Sequence, residues 1–274
     1  MDGRANCLPL LRWAGSKKRQ FSAISRIFPR HYKNYVEPFA GSAAFAFCLG
    51  EREARLNDLN SDLVAFYRDV SKNSSDFYDD FTSIPRTKEA YYEVRKKYNA
   101  EGNSEKKSVL FYYLNRNCFN GIFRINKVGE FNVPFSNYKV SPYLSKDQFL
   151  KSVNLISSAS IENLDFEEFC KSKVYRGDFV FIDPPYYSED RIFNEYNQKP
   201  FTLDDVDRLR SVLEHIEDVG ARFILSYPLS ALSRSLERGW RSVRMPVLRT
   251  IAGNSLKRTI VQELLIYNYD RRST

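Results

Sequence analysis

The chain is poor in the residues on which metal and triad chemistry depends. Its 274 residues include two histidines, His31 and His215, and four cysteines, Cys7, Cys48, Cys118 and Cys170, none close to another. That spacing gives neither a zinc-ligand set nor a disulfide framework, and so little imidazole argues against His-based metal sites and hydrolytic triads, so no metal is expected. No apolar run approaches the roughly 20 residues that span a bilayer. Met1 to Pro9 lacks the regions of a signal peptide, so a soluble, cytoplasmic protein with no membrane partner is expected. Acidic residues are also in deficit: 34 Asp and Glu against 42 Lys and Arg leave a net charge of +8, which favours a polyanionic partner. What is present suffices for a sizeable core, since 43% of residues are hydrophobic and 15% aromatic. A disordered chain is excluded, and the length suits one large domain or a domain with an insert.

The stretch with most chemical content is Phe179 to Tyr187. Phe179 to Ile182 reads as a buried strand that stops at Asp183, followed by Pro184, Pro185 and Tyr186. Each proline lacks an N–H and has φ fixed near −65°, so the strand gives way to a rigid extended loop at its carboxyl end, where open α/β sheets bind ligands. Asp183 and the Pro184 carbonyl are two acceptors at a fixed separation, and Tyr186 offers a ring on which a flat base can stack. An exocyclic amine has two hydrogens to give to such a pair. A solvated Asp in a proline-rich turn is the plainer alternative.

Upstream, Leu10 to Lys18 places Arg12, Trp13 and Lys17 around small residues, a pattern suited either to a ligand loop or to a core tryptophan beside a helix start. Apolar spacing over Gln20 to Phe28 predicts the first helix. Tyr35 to Gly50 reads as strand, tight turn and small-residue helix, with Glu37 and Phe39 leading into Gly41. A single glycine in the turn falls short of the three that admit a pyrophosphate, whereas a nucleoside without phosphates needs less. A second strand, Glu53 to Asn57, ends at Asp58, where a carboxylate can accept from both hydroxyls of a ribose or cap the helix from Asn60 to Val70.

From residue 71 to 144 the pattern changes to helices, over Phe77 to Phe81, Ala90 to Tyr98 and Val109 to Leu114. A hairpin follows, with Phe123 to Asn126 pairing with Glu130 to Pro134. Such a ribbon fits a DNA major groove, and Asn120, Arg124 and Asn126 include side-chain types that read adenine and guanine. Between Glu101 and Lys139 there are six basic and three acidic residues. The α/β pattern then resumes: a helix over Lys146 to Leu155, a strand over Ala159 to Glu162, then Asp165 and Phe166, suited to an adenine amine and ring or to a helix cap with a hydrophobic staple. Thr202 to Val219 reads as an amphipathic helix and Arg222 to Tyr227 as a strand. Ser242 to Val247 and Ile260 to Tyr267 read as antiparallel strands, and a basic run from Arg234 to Arg258 suits a phosphate backbone.

Taken together, Arg12 to Lys17, Val36 to Ser42, Asn57 to Asp62, Asn115 to Phe135, Asp183 to Tyr186 and Arg249 to Tyr269 resemble, in order and over most of the chain, the Dam-type DNA adenine-N6 methyltransferases. The resemblance implies a Rossmann-like doubly wound, S-adenosylmethionine-dependent α/β sheet with an inserted helical and β-hairpin DNA-recognition domain. Residues 1–70 and 145–274 would form the catalytic domain and 71–144 the insert. It implies a methyl transfer from S-adenosylmethionine to the N6 amine of an adenine flipped out of double-stranded DNA, with GATC the leading target. Trp13, Lys17, Glu37, Phe39, Gly41, Asp58, Asp165, Phe166 and Asp183 would bind the methyl donor. Asp183, Pro184, Pro185 and Tyr186 would be catalytic. Arg12, Arg116, Asn120, Ile122, Arg124, Asn126 and Pro134 would contact DNA. Arg12 stands where lysine is frequent in the family, Ser16 replaces a common glycine, and Ser136-Asn137 replaces a glycine with a basic residue; these departures bear on the outer bases of the target. A monomer is expected, encoded by a bacterium, archaeon, phage or virus, with or without a restriction partner. The rival readings are a catalytically silent DNA-binding regulator and a methyltransferase of RNA adenine or of protein glutamine, the last using Asn where Asp183 stands.

Overall fold

The computed structural model describes residues 8–51, 53–136, 142–187, 201–250 and 258–270. Cys7, Asn137, Lys139, Ile251 and Lys257 of the sequence reading lie outside the described residues. In chain order the regular elements are α1 Phe21–Ile24, β1 Tyr35–Glu37, α2 Ala44–Leu49, β2 Arg55–Asn57, α3 Ser61–Val70, α4 Ser74–Ser83, α5 Lys88–Ala100, α6 Glu105–Asn117, α7 Lys146–Ile156, β3 Ser160–Glu162, α8 Phe166–Lys173, β4 Phe179–Ile182, α9 Leu203–Asp218, β5 Arg222–Pro228, α10 Ala231–Glu237, β6 Arg241–Thr250 and β7 Arg258–Tyr267. They fall into two units. The first comprises the described residues of Met1–Arg19 and Ala40–Leu164, and the second those of Gln20–Phe39, Asp165–Glu189 and Phe201–Thr274.

In the first unit β2 and β3 pair in parallel, Leu56 opposite Ile161. Its helices begin where short polar side chains satisfy the first amides: Asn60 accepts from Leu63, Thr87 from Ala90, Ser104 from Lys107 and Ser145 from Gln148. α3, α4, α6 and α7 bury an aromatic cluster in which Phe66 stacks on Tyr112 at 5.3 Å and Phe81 meets the same ring edge-on at 4.6 Å. Such pairs contribute about 0.5–1.5 kcal/mol each beyond area burial. The hairpin expected after α6 is present as an isolated antiparallel bridge, Ile125 opposite Phe131. It rests on α5, where Tyr91 donates to the Val133 carbonyl at 2.8 Å and Asn99 bonds both the N–H and the C=O of Phe131.

In the second unit β1, β4 and β5 run parallel, β7 pairs antiparallel with β5, and β6 pairs antiparallel with β7. All four residues of β4 are buried. A strand covered on both faces reads as an unbroken apolar run, and this one ends where the two prolines remove the donors it would need. Phe28 packs on Phe179 at 4.7 Å beneath it. The single helix expected over Gln20 to Phe28 is instead one turn, α1, between 3₁₀ turns at Lys17–Gln20 and Ser25–Ile27. Gln20 makes no capping bond and Pro29 follows directly, so neither end supports a longer helix. α10 was not foreseen; a capping box between Ser230 and Ser233 starts it. Parallel strands with intervening helices and a terminal antiparallel pair make an α/β fold of the Rossmann-like kind.

Candidate active site

In the first unit the chain leaves Ala40, whose N–H bonds the Asn57 carbonyl at 2.8 Å, and turns through Gly41 at φ 49°. A Cβ on Gly41 would lie 2.7 Å from the indole Cδ1 of Trp13, so only glycine lets that ring lie against the turn. The Gly41 N–H donates to Asp58 Oδ2 at 2.8 Å, the Asn60 N–H donates to Asp58 Oδ1 at 2.9 Å, and the Tyr67 hydroxyl donates to the Gly41 carbonyl at 3.2 Å. Asp58 therefore ties β2 to the Gly41 turn, and the cap of α3 is Asn60. Burial raises the Asp58 pKa above the ordinary carboxylate value, against the lowering effect of the Asn60 and Gly41 amides. Each of its oxygens holds one amide, so the carboxylate keeps acceptor capacity for further donors. Lys17 is buried in the 3₁₀ turn after the Trp13 loop.

The second unit carries the other residues singled out for the methyl donor. Glu37, at the end of β1, is buried and accepts from the Tyr35 hydroxyl at 2.8 Å. Phe39 lies 5.2 Å from Phe166 and 6.3 Å from Phe201, and the last two lie 6.0 Å apart. Asp165 is the N-cap of α8, accepting from Glu167, as the plainer reading of that residue expected. Its Oδ1 also accepts from Arg208, whose other nitrogens bond Glu167 and Asp205 at 2.7 and 2.8 Å and whose guanidinium lies 4.6 Å above the Phe166 ring.

At the end of β4, Asp183 is half-buried and Pro184 buried. The Tyr186 hydroxyl donates to Asp183 Oδ1 at 3.2 Å, and its ring meets Tyr227 edge-on at 5.3 Å. The Tyr227 hydroxyl accepts from the Tyr187 N–H at 3.2 Å, so the last turn of the loop is held from β5. Tyr227 was missed by sequence reasoning, as was Asn57, whose buried amide bonds the Leu164 carbonyl and N–H at 3.1 and 2.9 Å and fixes the residue directly before Asp165.

The residues expected to contact DNA part into two groups. Asn120, Arg124 and Pro134 are exposed and Ile122 is half-buried. Asn120 holds φ 54°, followed by Gly121 at φ 66°, and Arg124 is oriented by a 2.8 Å bond from its Nε to Asn132. The others serve the scaffold. Arg116 is buried and donates to the Pro142 carbonyl at 3.0 Å, so a direct DNA contact is not what its position offers. Asn126 is committed as well: its Oδ1 accepts from Val128 at 3.1 Å and from Glu130 at 2.9 Å, filling the oxygen that adenine reading would require. Arg12 is clamped by Asn115 through both backbone groups, at 2.9 and 2.7 Å, with its side chain over Gly121 at the base of the hairpin.

The family profile described as "D12 class N6 adenine-specific DNA methyltransferase" matches residues 13–248. The chain is 30% identical to a type II methyltransferase of Lactococcus lactis subsp. cremoris, with 97% of each chain covered. It is 34% identical to a type II methyltransferase of Methanocaldococcus jannaschii, covering 95% of this chain and 99% of the relative. A DNA adenine methylase of Haemophilus influenzae is 30% identical over 94% of this chain and 92% of its own.

Proposed function

Because the chain belongs to the D12 class of N6 adenine-specific DNA methyltransferases, we propose that Asp183 and the Pro184 carbonyl accept the two hydrogens of a target adenine's N6 amine while Tyr186 stacks on its ring. The observation that carries this reading is the acceptor set at the end of β4, where Asp183 is held by the Tyr186 hydroxyl at 3.2 Å and followed by two residues that cannot move in φ. The amine is conjugated with its ring and is a poor nucleophile; two acceptors draw it toward a pyramidal geometry and free its lone pair. S-adenosylmethionine, when bound, supplies a methyl group already made electrophilic by its sulfonium. The task left to the protein is alignment, with reacting atoms brought to about 3–3.5 Å.

Each unit offers groups whose chemistry suits that molecule. The spare lone pairs of Asp58 suit ribose hydroxyls. The Phe39, Phe166 and Phe201 rings offer apolar faces for its purine, beside Asp165 as an acceptor for its amine. Glu37 and Lys17 complete the set by matching family positions. On DNA, Arg124 presents its terminal nitrogens from an exposed hairpin, a geometry suited to guanine O6 and N7 and to a GATC target. Because the adenine amine is engaged in a duplex, the base must be extruded at a cost of a few kcal/mol, offset by hairpin and phosphate contacts. The chain is proposed to act as a monomer.

Asp183→Ala is expected to abolish methyl transfer while leaving DNA binding near the parent value, measured by labelled-methyl incorporation and by gel shift. Turnover at the parent rate would overturn the role of Asp183. Sequencing of DNA exposed to the protein, with a method that reports modified adenine, identifies the target, and a motif other than GATC would overturn that assignment.

A further inference from the structure

The parallel strands of the second unit have a second edge, opposite the one that carries Asp183. Three segments enter it: His31 to Asn34 before β1, Tyr175 to Asp178 before β4, and Gly220 with Ala221 before β5. They enclose an open cleft of about 420 Å³ lined by His31, Tyr32, Lys33, Arg176, Arg222 and two glycines. Among those lining residues no side chain is acidic, and Lys33, Arg176 and Arg222 appear in no ion pair among the described residues.

The floor of the cleft is a backbone lattice. Lys33 N–H bonds the Gly177 carbonyl at 2.8 Å, and Gly177 N–H bonds the Gly220 carbonyl at 3.1 Å. Gly177 and Gly220 hold φ of 89° and 77°. A Cβ on Gly177 would stand 3.1 Å from Lys33 Cδ, and one on Gly220 would stand 3.2 Å from Arg176 Cγ. Each glycine is thus the bed on which the stem of one long cationic side chain lies. Arg222 is pinned by a 2.8 Å bond from Nη1 to the His31 carbonyl. The carboxylate beneath, Asp178, is fully buried, with one oxygen accepting from Asn34 and the other from the Tyr175 N–H at 2.9 and 2.8 Å. Cations on stems laid against a fixed floor lose less freedom on binding an anion than cations on free stems.

From this arrangement we infer that the cleft is a second nucleic-acid site, which takes the phosphodiester backbone of a duplex other than the one at the Asp183 edge. An open cleft lets a polymer run through, and the four-residue length of β4 separates the two edges by roughly 13 Å at about 3.3 Å per residue. An occupant of the cleft therefore makes no contact with the reacting base. The inference rests on family membership for the presence of DNA and is independent of the roles assigned to Asp58 and Asp183.

The test titrates a short duplex that contains no adenine target into the protein already saturated with a tightly held target duplex, and follows fluorescence anisotropy of the second duplex. The parent protein is expected to bind it, with a salt dependence of log K whose slope exceeds that of the variant Lys33→Gln/Arg176→Gln by about 1.8, the release expected for two phosphate contacts. Lys33→Glu/Arg176→Glu is expected to weaken this second binding by more than about tenfold. Methylation of the target duplex is measured in the same samples and is expected to match the parent. No second binding in the parent protein, or second binding unchanged in both variants, overturns the inference. So does displacement of the second duplex by inorganic phosphate at matched ionic strength, which would make the cleft a site for free phosphate. Failure of methyl transfer in the parent protein would count against the catalytic reading and leave this measurement standing.

Discussion

Two turns in the first unit are built the same way and are fitted for different work. At Asp58 and at Asn126 a side chain accepts from two backbone amides and so locks a change of chain direction. Asp58 does this with two oxygens, one amide on each, and retains lone pairs for a ligand. Asn126 does it with a single oxygen that both amides fill, and its amide nitrogen donates to Glu130 at 3.1 Å. An oxygen-by-oxygen count therefore separates a residue that can hold a ligand from one that holds only the fold, although both are polar residues in turns next to expected binding surfaces.

Asp58→Asn probes this contrast with the largest expected effect. One acceptor oxygen remains for the turn, while charge-assisted bonds to two hydroxyls, at about 1.5–3 kcal/mol each, are lost. Affinity for S-adenosylmethionine, measured by calorimetry, is expected to fall by about a hundredfold or more. The pH dependence has two signs. Because the folded pKa of Asp58 is raised, the folded state binds this proton more readily than the unfolded chain. Its contribution to stability is therefore fully present below the unfolded value of about 3.9 and is lost as pH rises through the folded value. Donor binding needs the carboxylate and should weaken as pH falls through the same window. In Asp58→Asn both dependences at this site vanish; if donor affinity there still tracks pH as in the parent, Asp58 is not the acceptor.

Arg124→Ala comes next. Loss of a bidentate contact is expected to relax preference at one base pair by about 1–3 kcal/mol with donor affinity unchanged, read from methylation rates on duplexes altered one position at a time. An unaltered preference would place base reading elsewhere. Asn126→Ala should have the smallest effect, a loss of about 1–2 kcal/mol of unfolding free energy from the two turn bonds, seen in a urea titration. Asn126→Asp keeps the acceptors and should recover most of it. If Asn126→Ala instead changed the preferred base as strongly as Arg124→Ala, the division between the two turns would fail.

How much of this was legible beforehand depended on how local the determining physics is. β4 and its loop stood out because an apolar run, an acid and two prolines are consecutive, and the order of the short motifs pointed to the family. Asp58 and Gly41 were singled out because a strand followed by a carboxylate, or by a glycine turn, is a pattern within one stretch. Asn57 and Tyr227 were not, since their partners Leu164 and Tyr187 lie 107 and 40 positions away. Arg116 and Asn126 were assigned from residue type and from the resemblance to the family. Residue type states what a side chain is able to bond, and only the fold shows which of those bonds are already made.

Trp13 joins the glycine turn to the hairpin, its indole lying against Gly41 and its ring stacked on Phe123 at 5.9 Å and 19°. The sequence contains one other tryptophan, Trp240, which lies edge-on to Phe223 under Arg210 in the second unit. Replacing Trp240 with Phe would leave a single tryptophan, excitable apart from the tyrosines, at the junction of hairpin and glycine turn. Its emission would then register occupancy on either side, so the molecule carries its own optical gauge for whether DNA and the methyl donor sense each other.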